Sequence, residues 1–199
     1  DTLVVMNAAA LKTNLKDLQP GGILIVNTDG FETSDLKKAA YKSNPLDDGS
    51  LKAYRVIRVA VAKLTIEAVK DCGLSPRDQD RCKNFFALGL VYWMYERPLE
   101  ITLKWIKDKF GKRIETMEAN TRALKAGYNY GETVELLPVQ YQVAKAQIAP
   151  GTYRKITGNE AAVIGFVAAG QMAKKTIVYA GYPITPASSI LEGLSDMRR

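Results

Sequence analysis

The sequence predicts an α/β protein, with a parallel sheet of Rossmann-like layout followed by a second α/β segment. Two observations carry this prediction. Leu3-Val4-Val5-Met6 and Ile23-Leu24-Ile25-Val26 are short, continuous apolar runs, as in strands covered on both faces. Short helical stretches separate the strand-like runs, and strand–helix–strand alternation is the pattern of a parallel sheet.

The elements follow in order. After Leu11 to Leu18, Pro20-Gly21-Gly22 signals a turn into the second strand. Ser34 is placed to cap a short helix through Lys38 and Tyr41. Tyr54 to Val61 alternates as a third strand, with Val56 and Ile57 apolar. A helix then ends at Gly73. The next starts at Ser75-Pro76, with Ser at the N-cap, Pro at the first helical position and Asp78 in the first turn. Phe85 to Met94 is apolar nearly all round, which predicts a helix buried in the chain or packed on a partner. Pro98 opens another helix, with Leu99, Leu103, Ile106 and Phe110 on one face before Gly111. A third runs from about Glu115 to Ala126 and is expected to stop at Gly127, before a turn-rich Tyr128-Asn129-Tyr130-Gly131. Val139, Tyr141 and Val143 alternate as a final strand or extended arm.

Composition changes around Ala149-Pro150-Gly151, which divides the chain into segments 1–148 and 149–199. Thr157 and Glu160 have capping-box spacing ahead of an Ala/Val/Ile-rich helix to about Ala173. Thr176 to Ala180 reads as a strand, and a helix is expected from Pro186. The chain opens at Asp1 within a strand pattern and closes at Arg199 within a helix pattern. Natural termini usually lie outside core elements, so the expectation is a chain cut at both ends.

Charge and composition exclude several functions. The net charge is +7, densest at Lys104, Lys107, Lys109, Lys112 and Arg113. This density reads as the solvated face of an amphipathic helix, or as a site for an acidic ligand such as a phosphate-bearing cofactor. No nucleic-acid motif accompanies it. There is no histidine, which removes Ser-His-Asp and Cys-His mechanisms and histidine-ligated metals from this stretch. Cys72 and Cys82 form neither a CxxC pair nor an iron–sulfur set, so they read as reduced thiols of a cytoplasmic protein. No apolar run reaches the roughly 18 residues of a spanning helix, and no membrane association is expected.

The stretch richest in chemical meaning is Tyr182-Pro183-Ile184-Thr185-Pro186-Ala187-Ser188, which follows a predicted strand and opens a predicted helix. Ligands gather at such places in α/β folds, where a helix N-terminus offers unpaired N–H groups to an anion. Thr185 before Pro186 is equally a plain N-cap with proline behind it, which needs no ligand. Spacing alone leaves both readings open.

This string resembles the YPITPxS signature of the thiamine-diphosphate-dependent 2-oxoacid:ferredoxin oxidoreductases. Ile156-Thr157-Gly158-Asn159-Glu160-Ala161 looks like the ITGNEA segment that begins the same domain. Pro20-Gly21-Gly22, the NFFALG string at 84–89 and the AGYNYGE string at 126–132 are similar to the gamma domain fused ahead of it. The resemblance implies a gamma domain at 1–148 without its N-terminal part, then the start of a thiamine-diphosphate pyrimidine-binding α/β domain at 149–199. It further implies a complex converting a 2-oxoacid, most readily 2-oxoglutarate, with coenzyme A to acyl-CoA and CO2. The resemblance also implies that the electrons pass to ferredoxin.

By the same resemblance, Thr185 lies beside the substrate as the catalytic contact. Tyr182, Pro183, Ile184, Pro186 and Ser188 shape the cofactor wall. Thiamine diphosphate is shared with a beta subunit, which carries magnesium and the iron–sulfur cluster, and coenzyme A is the co-substrate. The fragment alone is expected to be inactive. Two alternatives stand beside this: a non-catalytic gamma-type assembly or coenzyme-A-docking subunit, and an NAD-dependent dehydrogenase.

Overall fold

The computed structural model describes residues 1–134, 140–182 and 184–197. The chain divides into two compact units, 1–145 and 146–199. The first begins with β1 (Thr2–Val5), α1 (Ala8–Asn14), β2 (Ile23–Asn27), α2 (Thr33–Lys38) and β3 (Arg55–Val59). It continues through α3 (Val61–Val69), α4 (Pro76–Arg81), α5 (Lys83–Met94), α6 (Glu100–Phe110) and α7 (Ile114–Val134).

The sheet is parallel, in the order β1-β2-β3, with Leu3, Leu24 and Val56 in one register row and Val4, Ile25 and Ile57 in the next. Strand side chains alternate between faces. The first row accordingly meets Leu11, Leu18 and Phe31, and the second meets Phe86, Leu90 and Trp93. Every residue of β2 is buried, because it pairs on both sides and is covered on both faces. This is why its run carries no polar alternation. Gly21, at φ +82°, makes the turn into β2, and its N–H donates to the Ala53 carbonyl at 2.7 Å.

Local caps behave as read. The Ser75 hydroxyl accepts from Asp78 N, with Pro76 at the helix start. The cap of α2 does not: α2 begins at Thr33, behind Glu32, so Ser34 lies inside the first turn. The third strand is two residues shorter at its end than read, because Val61 already starts α3. The helix before Gly73 ends at Val69.

The largest correction concerns α7. It passes through Gly127 and Gly131 and ends at Val134, so the expected stop and turn at 127–131 are helical. Ala119, Ala123, Gly127 and Gly131 recur every fourth residue and are buried. A Cβ on Gly127 would collide with the Phe86 carbonyl, one on Gly89 with the Leu124 carbonyl, and one on Gly131 with the Trp93 ring. These glycines let α5 and α7 approach backbone to backbone, and none serves as a helix terminator. The apolar helix at Phe85 to Met94 is thereby buried inside the chain. Leu90 is 2% exposed, which removes the observation that motivated a partner interface there.

The second unit holds α8 (Gly158–Ala173) and α9 (Ser188–Asp196). The capping box is present in full: Thr157 N donates to Glu160 Oε2 at 2.6 Å, and Glu160 N to Thr157 Oγ1 at 3.2 Å. Thr176 to Ala180 is not a strand. Ile177 and Val178 are exposed, and the described residues of this unit contain no strand for them to pair with. An apolar run becomes a strand only when its backbone groups find a neighbour. Residues 140–157 are irregular and exposed; Tyr141 N donates to the Met94 carbonyl at 2.8 Å, and Val139 lies outside the described residues. Among the described residues, no helix is long and apolar enough to cross a membrane.

Candidate functional site

The carboxyl ends of parallel strands are where α/β folds place ligands. In the first unit this edge comprises Asn7 after β1, Asn27 to Gly30 after β2 and Ala60 after β3. Two of its helix starts are satisfied internally. The Asn7 side chain accepts from Ala10 N at 2.8 Å at the start of α1. The Asp29 carboxylate accepts from Lys63 N at 2.9 Å in the first turn of α3. Buried Asn27 joins the three strand ends, donating to the Met6 carbonyl at 3.1 Å and accepting from Ala62 N at 3.4 Å.

A protein carboxylate thus stands where an anionic ligand would meet α3, and a Cβ on Gly30 would already strike the Met6 carbonyl. This arrangement weighs against a dinucleotide site. An open cleft of about 790 Å³ flanks the edge, lined by Asp29, Ala60, Lys63, Ile66, Glu67 and Tyr130.

In the second unit the chain turns at Ile184–Ala187, with Ala187 N donating to the Ile184 carbonyl at 2.7 Å. Thr185 and Pro186 occupy the middle of this turn, and their peptide bond is cis. The helix starts later than the sequence suggests: α9 begins at Ser188 behind Ala187, which offers no side-chain cap. Thr185 is therefore not the N-cap; the residue is exposed, and its hydroxyl is not consumed by capping the helix. Tyr182 and Ile184 are also exposed, at 81% and 56%. Tyr182 and Ser188 come together around a small cavity of about 60 Å³ with Tyr179, Ala187 and Leu191. Ile184, Thr185 and Pro186 stand outside its lining. Pro183 lies outside the described residues.

One connection escaped the sequence reading. Asn159, at the start of α8, donates from Nδ2 to the Pro186 carbonyl at 2.8 Å and to Ser189 Oγ at 2.7 Å. Ser189 Oγ in turn donates to the Pro186 carbonyl at 3.1 Å. The only hint in the sequence is an asparagine inside a capping box that does not require one.

Elsewhere the chemistry is quiet. Cys72 and Cys82 are free and buried in one apolar cluster with Val69, Ala119 and Ala123. Burial pushes the Cys82 thiol up to about 11, with Cys72, Asp78 and Asp80 adding to it. Among the described residues no group of three or more Cys, Asp or Glu is placed to hold a metal. The basic residues at 104–113 are exposed around Trp105, whose ring lies 4.5 Å from Lys109 Nζ, while Ile106 faces inward. This is the solvated face of α6.

Together these features define an α/β protein: a helix-covered parallel sheet, and a separate unit bearing a proline-held turn before a helix. The chain belongs to the pyruvate ferredoxin/flavodoxin oxidoreductase family, whose model matches residues 1–130. It is 50% identical over 195 residues to 2-oxoglutarate oxidoreductase subunit KorA of Mycobacterium tuberculosis, covering 98% of this chain and 30% of that protein. The fold matches a 2-oxoglutarate:ferredoxin oxidoreductase from Magnetococcus marinus, solved with 2-oxoglutarate, coenzyme A and succinyl-CoA bound. That match has TM-score 0.68 at 20% identity, over 98% of this chain and 30% of that one. The chain spans about 30% of the length of each.

Proposed function

We propose that this chain is part of a 2-oxoacid:ferredoxin oxidoreductase that converts 2-oxoglutarate and coenzyme A to succinyl-CoA and CO2 and passes the electrons to ferredoxin. The observation that carries this is the 50% identity to a 2-oxoglutarate oxidoreductase subunit, over an alignment that covers 98% of the chain. Residues 1–148 form a Rossmann-like gamma domain, and 149–199 belong to a thiamine-diphosphate pyrimidine-binding domain. Partners are a beta subunit carrying magnesium and the iron–sulfur cluster, and ferredoxin.

The residues of the second unit fit one wall of such a site. Tyr182 and Ser188 border a cavity at the helix start, and Thr185 is exposed in the turn between them in sequence. Tyr182, Pro183, Ile184, Pro186 and Ser188 would hold thiamine diphosphate from this side, and the bound cofactor supplies the nucleophilic carbon and the electron sink. Thr185 contributes a donor hydroxyl to the substrate. A hydrogen bond from a fixed turn orients the 2-oxoacid without reorganisation during the reaction.

In the complete complex, Thr185→Val is expected to lower 2-oxoglutarate-dependent viologen reduction by about ten-fold or more, the scale of one lost transition-state hydrogen bond. Undiminished turnover would return Thr185 to a structural turn residue.

A further inference from the structure

We infer that Asn159 is a positioning residue for the Thr185 turn, acting through the Pro186 carbonyl with Ser189 as relay. The inference rests on the reading of Thr185 as the substrate contact.

The start of α8 has no need of Asn159. Thr157 and Glu160 satisfy one another's backbone N–H groups, which completes the cap. Asn159 is the second residue of the helix, and its side chain reaches across to residue 186 instead. A primary amide has two donor hydrogens, and here both are used, on Pro186 O at 2.8 Å and Ser189 Oγ at 2.7 Å. The Ser189 hydroxyl has one hydrogen, and it goes to the same Pro186 carbonyl at 3.1 Å. The three groups close a triangle on the carbonyl of the residue immediately after Thr185. Two converging donors set the orientation of that peptide and thus of the turn presenting the Thr185 hydroxyl. The ITGNEA and YPITPAS strings are thereby one device: the first holds the second in place.

A role in helix stability and a role in positioning make opposite predictions for Asn159→Asp. An acidic side chain in the first turn suits a helix N-terminus, so α8 is not weakened. The same change removes both donors and turns a carboxylate towards the Pro186 carbonyl.

The test uses the complete complex, with kcat/KM for 2-oxoglutarate read by viologen reduction and assembly read by size exclusion and thermal melting. Asn159→Asp is expected to lower kcat/KM about ten-fold with assembly and melting unchanged, since small displacements of a positioned group carry such costs. Ser189→Ala, which leaves the α8 start untouched, is expected to give a smaller loss in the same direction. In a Thr185→Val background, Asn159→Asp is expected to add less than about two-fold, because groups that act through one another are not additive. Full activity of Asn159→Asp and Ser189→Ala beside an impaired Thr185→Val would sink the Asn159 role alone. An equal loss from Asn159→Asp in both backgrounds would also overturn it, as would retained activity in Ser189→Ala if Asn159→Asp failed to assemble. Full turnover of Thr185→Val by itself would bring down the Thr185 reading, and this inference with it.

Discussion

A thiol packed in an apolar cluster beside a second thiol and near two carboxylates is a poor nucleophile, and Cys82 is in that position. Its pKa rises from the ordinary 9.0 to about 11, so folding favours the protonated form. The stability this contributes is fully present below pH 9.0 and is lost as pH rises through about 11. Urea denaturation across that window should show a falling midpoint whose slope is reduced in Cys82→Ala. Alkylation by iodoacetamide at about pH 8 should be slow in the folded chain and fast in urea, in line with thiolate control of reactivity. Glu160 moves the other way. The Thr157 N–H and hydroxyl hold its carboxyl below the ordinary 4.5. The contribution of the capping box is therefore present above pH 4.5 and lost as pH falls through the lowered value. Glu160→Gln should flatten that acid limb in a helicity titration by circular dichroism.

At the scale of elements, the contact between α5 and α7 depends on glycines that in an exposed helix would be a cost. Replacing an exposed helical glycine by alanine gains about 1 kcal/mol. Here the sign reverses, because the new Cβ would meet backbone of the facing helix. Gly127→Ala and Gly89→Ala should each destabilise by about 2 kcal/mol or more, the scale of overpacking in a core, measured by chemical denaturation. Wild-type stability in both would refute the close crossing. The sheet edge makes a parallel case. Asn27→Leu would leave the Met6 carbonyl and Ala62 N–H without their partner, at a cost of about 1–3 kcal/mol.

At the scale of the whole molecule, the family match at 1–130 falls inside the first unit, while the proposed substrate contact lies in the second. Exposed, irregular backbone at 140–157 joins them. Trypsin should cut this chain first at Lys145, Arg154 or Lys155, which lie in that stretch, leaving a resistant fragment that contains the sheet. Initial cleavage within 1–134 would contradict the division into units.

Local pattern alone determined much of this protein. The apolar runs specified β1 and β2, and alternation specified β3, because a strand covered on both faces tolerates little else. The Ser75 cap and the Thr157–Glu160 box were legible because each is closed by residues three apart. The YPITPAS string pointed to the turn that holds Thr185. Tertiary structure decided the rest. Gly127 and Gly131 carry the local signature of a helix end, yet α7 runs through both because α5 requires their missing side chains. Thr176 to Ala180 carries the signature of a strand but has no partner among the described residues, and pairing, not propensity, makes a strand. Thr185 carries the signature of an N-cap, but the turn at Ile184–Ala187 comes first and Asn159 bonds to its proline carbonyl from 27 residues away in sequence. Short-range hydrogen bonds and burial periodicity are written in neighbouring residues. Close approach and long-range bonding depend on what the fold brings opposite, which no local window contains.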